Sequence, residues 1–200
     1  SGGLNSDERI GYPKEVVLTT HDINQARNGH RVEKVLNFQG DGGSYDVGFY
    51  LNPNGVQTNW RWCHKCQGLY FAGNPGSRCP AGGAHDHSGS GNYGLNQNLN
   101  VLPAYIQTNW RWCNKCQGLY YGGNAGSKCP AGGAHSGKGS GNYSLLHDVP
   151  GATSFQQGWR WCRKCQGLYF VGHSNGVCPA GQQHDDHGSA AYELFQSSKP

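Results

Sequence analysis

Hydrophobic and polar positions alternate in short runs along much of this chain, and glycine or asparagine separates many of the runs. In "NWRW", Trp60 and Trp62 fall on one side of an extended segment and Arg61 on the other. The "LYF" run at 69–71 and the "GNYGL" run at 91–95 alternate in the same way. This period of two predicts three short β-strands.

The same three runs occur three times. Trp60, Trp110 and Trp159 begin equivalent units at periods of 50 and 49 residues. Each unit reads W-R-W-C-x-K-C-Q-G-L-Y-[FY]-x-G, followed by C-P-A-G, a histidine and a Y-x-L ending. A fixed period indicates one supersecondary unit used repeatedly. We therefore divide the chain into a leader at 1–55 and repeats at 56–105, 106–155 and 156–200.

The leader lacks this pattern and carries mixed signals. "HDINQARNGHRVEKVL" at 21–36 begins with a candidate N-cap and has partly helical apolar spacing. "SYDVGFYLNP" at 44–53 alternates like a strand. Four leader residues could form a site, but we expect them to be ordinary polar residues at the surface. These residues are His21, Asp22, His30 and Asp46.

The nine cysteines fall as three per repeat, and a histidine follows the third cysteine with identical spacing, C-x2-C-x12-C-x5-H. Three thiols cannot all pair within one repeat, so a disulfide framework fits poorly. Four such ligands with a tight C-x2-C turn are typical of a tetrahedral structural zinc site. The sequence therefore predicts about three Zn²⁺ ions per chain. The predicted ligands are Cys63, Cys66, Cys79 and His85; Cys113, Cys116, Cys129 and His135; and Cys162, Cys165, Cys178 and His184.

The glycine after each C-x2-C turn is expected to supply the unusual backbone angles of that turn. These glycines are Gly68, Gly118 and Gly167. The pattern resembles zinc ribbons and zinc knuckles. The W-x-C-x2-C start is similar to the short zinc fingers of Ran-binding-type proteins. Those fingers use four cysteines, whereas these repeats end in C-x5-H, and the resemblance covers only the first third of each repeat. It implies no binding residues.

The predicted zinc is structural, and the protein is not expected to be an enzyme. Catalytic zinc sites usually have three protein ligands and leave one position for water. Each repeat offers four ligands, and no glutamate in its core could act as a general base.

The sequence predicts an all-β fold of small zinc-stabilised modules, with three tandem zinc-ribbon-like units after the mixed leader. The alternative is a β-trefoil with pseudo-threefold repeats. Leu, Ile and Val are sparse for a trefoil core, and Pro103 and Pro150 interrupt extended linkers. We therefore expect tandem modules rather than the trefoil.

In each repeat, the first Trp and the Tyr are predicted to be solvent-accessible and to contact the ligand. The second Trp is predicted to pack in the core beside the first cysteine. The predicted ligand contacts are Trp60, Tyr70, Trp110, Tyr120, Trp159 and Tyr169. The predicted core members are Trp62, Trp112 and Trp161.

The formal charge of +4 is a weak attraction for a polyanion. Nine thiolates and three Zn²⁺ ions would lower it to about +1. The Arg and Lys beside each knuckle are expected to offset the charge of zinc-bound sulfur. Exposed aromatic rings could stack sugars, or bases of a single strand. Three equivalent weak sites would add avidity for a polymeric glycan.

The chain is therefore predicted to be a non-catalytic binding module for carbohydrate or cell-surface ligands. A protein-interaction or toxin-associated module is the first alternative, and a single-stranded nucleic-acid binder is the second. Low charge with abundant Asn, Gly, Tyr and Trp is typical of secreted bacterial proteins, so secretion is expected. No apolar run approaches the roughly 18 residues of a membrane span.

Overall fold

The computed structural model describes residues 32–37, 44–49, 56–98, 105–148 and 155–198, and the regular structure in these ranges is entirely β. β1 (Val32–Asn37) and β2 (Ser44–Phe49) pair antiparallel in a sheet of their own. The strand expected from Ser44 onward is confirmed. The helical interpretation is wrong from Val32 onward, because pairing with β2 overrides the local apolar spacing.

Residues 21–31, the rest of the segment with helical spacing, lie outside the described residues. Three of the four leader residues considered as a site also lie outside them. These three are His21, Asp22 and His30. The fourth, Asp46, lies in β2.

Each repeat contributes three strands to one nine-stranded sheet. In repeat 1 they are β3 (Val56–Trp62), β4 (Leu69–Phe71) and β5 (Asn92–Gln97). In repeat 2 they are β6 (Ile106–Trp112), β7 (Leu119–Tyr121) and β8 (Tyr143–His147). In repeat 3 they are β9 (Gln156–Trp161), β10 (Leu168–Phe170) and β11 (Tyr192–Ser198). The first strand of every repeat pairs antiparallel with both of the others, as β3 does with β4 and β5.

The three repeats close on one another. Their third strands pair in a ring, β5 with β8, β8 with β11 and β11 with β5. Single bridges join the second-strand regions in the same cyclic order, at Gly68–Tyr169, Tyr70–Gly118 and Tyr120–Gly167. The result is a nearly closed, barrel-like sheet with a pseudo-threefold arrangement. The all-β prediction with three repeated units is confirmed, and the units close together as in the trefoil alternative.

One core serves all three repeats. Each repeat supplies its first Trp, a Leu, a Tyr and a second Leu, and all twelve side chains are buried. They are Trp60, Leu69, Tyr93 and Leu95; Trp110, Leu119, Tyr143 and Leu145; and Trp159, Leu168, Tyr192 and Leu194.

The core rings interlock between repeats. Trp60 meets Tyr143 edge to face with 5.1 Å between ring centroids, and Trp110 meets Tyr192 at 5.2 Å. Trp159 completes the cycle against Tyr93 at 5.3 Å. Large aromatic rings thus fill space that aliphatic side chains fill in many β cores. Within the described part of the chain, no helix has the length and apolar character needed to cross a membrane.

Candidate metal centres

The C-x2-C knuckle forms the connection between the first and second strands of each repeat. In repeat 1, the Cys63 amide donates to the Gly68 carbonyl at 2.9 Å, and the Gln67 amide donates to the Cys63 carbonyl at 2.8 Å. The left-handed residue of this turn is Gln67, with φ of 66°. The expectation that Gly68 supplies this angle is therefore wrong. A Cβ at Gly68 would lie 3.4 Å from the Cys66 sulfur, in van der Waals contact with it.

The four predicted ligands of each repeat lie together. Their ligand atoms are all within 4.8 Å of one another in all three repeats, which confirms the predicted grouping. The sulfur atoms of Cys63 and Cys79 are 3.9 Å apart, and the Cys66 sulfur lies 3.5 Å from His85 Nδ1. The same two distances recur in repeats 2 and 3.

These separations fit one tetrahedral ion. Zn–S bonds of about 2.3 Å and Zn–N bonds of about 2.0–2.1 Å place tetrahedral sulfur pairs about 3.8 Å apart and sulfur–nitrogen pairs about 3.5–3.6 Å apart. The donor set and its spacing therefore suit metal binding at three centres.

Backbone amides compensate charge on the sulfur atoms. The amides of Asp86, Ser136 and Asp185 each donate to the first cysteine sulfur of their repeat at 3.4 Å. The knuckle lysines hydrogen-bond to backbone carbonyl oxygens of the C-P-A-G loop. Lys65 Nζ donates to the Gly82 carbonyl at 2.7 Å, and Lys164 Nζ donates to the Gly181 carbonyl at 2.7 Å. These lysines tie the C-P-A-G loop to the knuckle.

The thiols in each centre influence one another's protonation. A hydrogen bond with Cys66 is the main cause that lowers the pKa of the Cys63 thiol far below its ordinary value. The same contact raises the pKa of Cys66, and Cys63 also raises the pKa of Cys79. Burial also raises the pKa of all three thiols. A divalent cation at the centre of the cluster would offset the repulsion among three thiolates.

The ligand histidines stack on the tyrosines that were predicted to contact a ligand. Ring centroids are 4.5 Å apart for Tyr70–His85, 4.6 Å for Tyr120–His135 and 4.5 Å for Tyr169–His184. Burial raises the pKa of Tyr70 to about 12. The tyrosines therefore orient the imidazole rings.

The prediction of accessible aromatic rings is wrong for all six residues named. The exposed fraction is 0% for the first Trp of each repeat, Trp60, Trp110 and Trp159. It is 3%, 7% and 0% for Tyr70, Tyr120 and Tyr169. The first Trp is covered by a neighbouring repeat, and the Tyr by the metal-ligand histidine.

The core position predicted for the second Trp is confirmed in part, because Trp62, Trp112 and Trp161 pack against the core but are only half-buried. Each indole N–H donates to the glutamine that follows its knuckle. The nitrogen–oxygen distance is 3.1 Å to Gln67, 2.9 Å to Gln117 and 3.0 Å to Gln166.

Sequence reasoning gave this glutamine no role. Its amide nitrogen donates back to a knuckle carbonyl, as Gln67 does to His64 at 2.8 Å. Its presence in the "KCQGLY" run of every repeat is the sequence feature that could have indicated such a role.

Backbone hydrogen bonds connect the three centres. The residue before each third cysteine donates to the knuckle of the next repeat. The Arg78 amide donates to the Cys116 carbonyl at 3.2 Å, and Lys128 donates to Cys165 at 3.3 Å. Val177 donates to Cys66 at 3.4 Å, which closes the cycle. Each knuckle thus holds its own centre and the ligand loop of its neighbour.

Comparison of this chain with protein-family models, curated proteins and solved structures returns no match. The three centres and the surfaces that they hold in place are therefore the features that indicate a function.

Proposed function

We propose that this protein is a non-catalytic binding module whose fold is held by three structural zinc ions. The observation that carries the proposal is the recurrence of three sulfurs and one imidazole nitrogen at tetrahedral separations in every repeat. Zinc is the divalent ion for which a Cys3His set is a common structural site. Each ion would fix a knuckle, a C-P-A-G loop, the end of the first strand and the start of the second.

The coordination supports the absence of catalysis at the metal. Four protein ligands complete a tetrahedron, so no position remains for a reactive water. The nine cysteines are buried, which also keeps substrates from the sulfur atoms.

The ligand class that we propose is carbohydrate on a cell surface or in a polymer. The pseudo-threefold arrangement supports it, because equivalent surfaces presented in one rigid body give avidity for repetitive ligands. Secretion is part of the proposal and is supported by composition: low charge with abundant Gly, Asn, Tyr and Trp.

Elemental analysis combined with a glycan array tests this function. We expect about three zinc ions per chain purified without added metal, and binding to a subset of glycans that chelation abolishes. A metal-free protein with oxidised thiols would contradict the zinc proposal. A fully zinc-loaded protein that binds single-stranded oligonucleotides but no glycan would contradict the ligand class.

A further inference from the structure

The half-buried Trp of each repeat lies at the junction with the preceding repeat, and we use the word cleft for the surface formed by this Trp and the residues that contact it across the junction. Asn74 of repeat 1 donates to the Gln117 side-chain oxygen at 3.1 Å, the same oxygen that accepts the Trp112 indole N–H. Asn124 of repeat 2 donates in the same way to Gln166, which holds Trp161, at 3.0 Å.

At the third junction, a ring occupies the equivalent place. His173, Asn74 and Asn124 each lie eight residues after the second cysteine of their repeats. The His173 imidazole packs against the Trp62 indole, with 5.1 Å between centroids and 36° between ring planes. His173 also contacts Phe170 edge to face at 5.6 Å. A planar ring contributed by the chain itself therefore packs on Trp62.

The clefts at Trp112 and Trp161 lack such a ring. Among the described residues, no aromatic or imidazole ring packs on Trp112, and the same holds for Trp161. The bordering residues Asn74 and Asn124 are exposed and too short to cover an indole. Two of the three equivalent indoles thus have no ring partner among the described residues at the place where His173 packs on Trp62.

Charge distinguishes the same two clefts. The backbone amide of Arg78 hydrogen-bonds to the knuckle beside Trp112, and the backbone amide of Lys128 hydrogen-bonds to the knuckle beside Trp161. Both residues are exposed. At the Trp62 cleft the corresponding residue is Val177. The clefts at Trp112 and Trp161 therefore combine a half-buried indole, an amide and an exposed basic residue whose backbone contacts the same knuckle.

We propose that the clefts at Trp112 and Trp161 each bind one sugar ring of an acidic polysaccharide. The ring packs on the indole, Asn74 or Asn124 hydrogen-bonds a hydroxyl, and Arg78 or Lys128 pairs with a sugar carboxylate. The Trp62 cleft is closed by His173 and takes no ligand. This inference rests on the proposed carbohydrate function and assigns its sites: two per chain rather than three.

Each of these junction residues can be replaced by its counterpart from another junction, which tests the proposal without altering the core. Asn74→His and Asn124→His introduce the ring that closes the third cleft, and His173→Asn removes it. Isothermal titration calorimetry and indole fluorescence would be recorded with a six-residue oligogalacturonate. Maltohexaose is the neutral control.

We expect wild-type protein to bind the acidic oligosaccharide at two sites, and each Asn→His change to weaken one site by roughly tenfold or more. The double variant should lose binding, and His173→Asn combined with Val177→Arg should gain a third site. Zinc content should stay at three in every variant.

Unchanged binding in the zinc-loaded double variant would overturn the site assignment and leave the zinc proposal intact. Equal affinity for maltohexaose would overturn the acidic preference. Salt-sensitive binding of a single-stranded oligonucleotide at these clefts, without oligosaccharide binding, would overturn the ligand. Absence of zinc from the wild-type protein would instead contradict the proposed function.

Discussion

At the residue scale, two tryptophans separated by one arginine have different environments. The alternation in W-R-W correctly indicates a strand, and both indoles pack toward the shared core. Which of the two is fully covered depends on Tyr143 from another repeat, which meets Trp60. A sequence pattern that describes one repeat contains no information about that partner, so it does not predict that the first Trp is fully buried and the second half-buried.

Replacing a first Trp should therefore damage the fold more than replacing a second Trp. We expect Trp110→Ala to lower the free energy of unfolding by about 3–5 kcal/mol, because a fully buried ring leaves a cavity. Trp112→Ala, at a half-buried position, is the matched control and should cost less. Denaturant titration of both zinc-loaded variants measures this, and an equal or reversed order would contradict the assignment of the core.

The core tyrosines predict a loss of stability at alkaline pH. Burial raises the pKa of Tyr93 and of Tyr143 to about 12, against an ordinary value near 10. The unfolded chain therefore releases these protons at lower pH than the folded chain. The stabilising contribution is complete below about pH 10 and declines as the pH rises toward 12.

Unfolding free energies measured from pH 8 to pH 11 would show this decline. Tyr93→Phe should make it shallower, since one of the titrating groups is removed. A stability that is constant across this range, or a decline identical in Tyr93→Phe, would argue against the titration of buried tyrosines.

At the element scale, local sequence predicted the strands and the knuckles but not their partners. The runs at Trp60, Leu69 and Tyr93 all became strands, and the C-x2-C turns connect them. The pairing of β5 with β8 and β11 joins segments distant along the chain, which a period-two pattern cannot encode. The helical signal failed at Val32–Asn37 because pairing with β2 outweighs propensity.

The loop of repeat 3 that meets repeat 1 should be sensitive to one methyl group. Gly176 has φ of 57°, and a Cβ there would lie 2.1 Å from the Cys66 carbonyl oxygen. Gly76 has φ of 81°, and a Cβ there would meet nothing within 4 Å. Alanine at either position incurs the left-handed strain, but only at Gly176 does it also collide with a backbone.

We expect Gly76→Ala to cost about 1 kcal/mol and Gly176→Ala roughly 1–3 kcal/mol more. Thermal unfolding of the two zinc-loaded variants gives the comparison. Equal melting temperatures would show that this loop does not close against the first knuckle.

At the scale of the whole molecule, the three repeats form one unit. The small number of aliphatic residues suggested separate modules, yet twelve core side chains, half of them aromatic, are pooled from all repeats. The cysteine and histidine spacing was sufficient to group the twelve ligands, because a metal centre is specified locally. The ring of third strands was not predictable from the same motif, since closure depends on contacts between copies.

Loss of one centre should therefore affect all three repeats. We expect Cys129→Ser to reduce the zinc content to about two per chain and to raise amide hydrogen exchange in repeats 1 and 3 as well as repeat 2. The shared core and the Lys128–Cys165 backbone hydrogen bond transmit the change. Hydrogen-exchange mass spectrometry resolves the repeats, and faster exchange confined to repeat 2 would mean that they fold independently.

X-ray absorption at the zinc edge of the purified protein tests the account most directly. Three Cys3His centres predict three zinc ions per chain, each with an average shell of three sulfurs at about 2.3 Å and one nitrogen at about 2.0–2.1 Å. Oxygen ligands in that shell, fewer than three ions at saturation, or thiols found paired as disulfides would contradict the account.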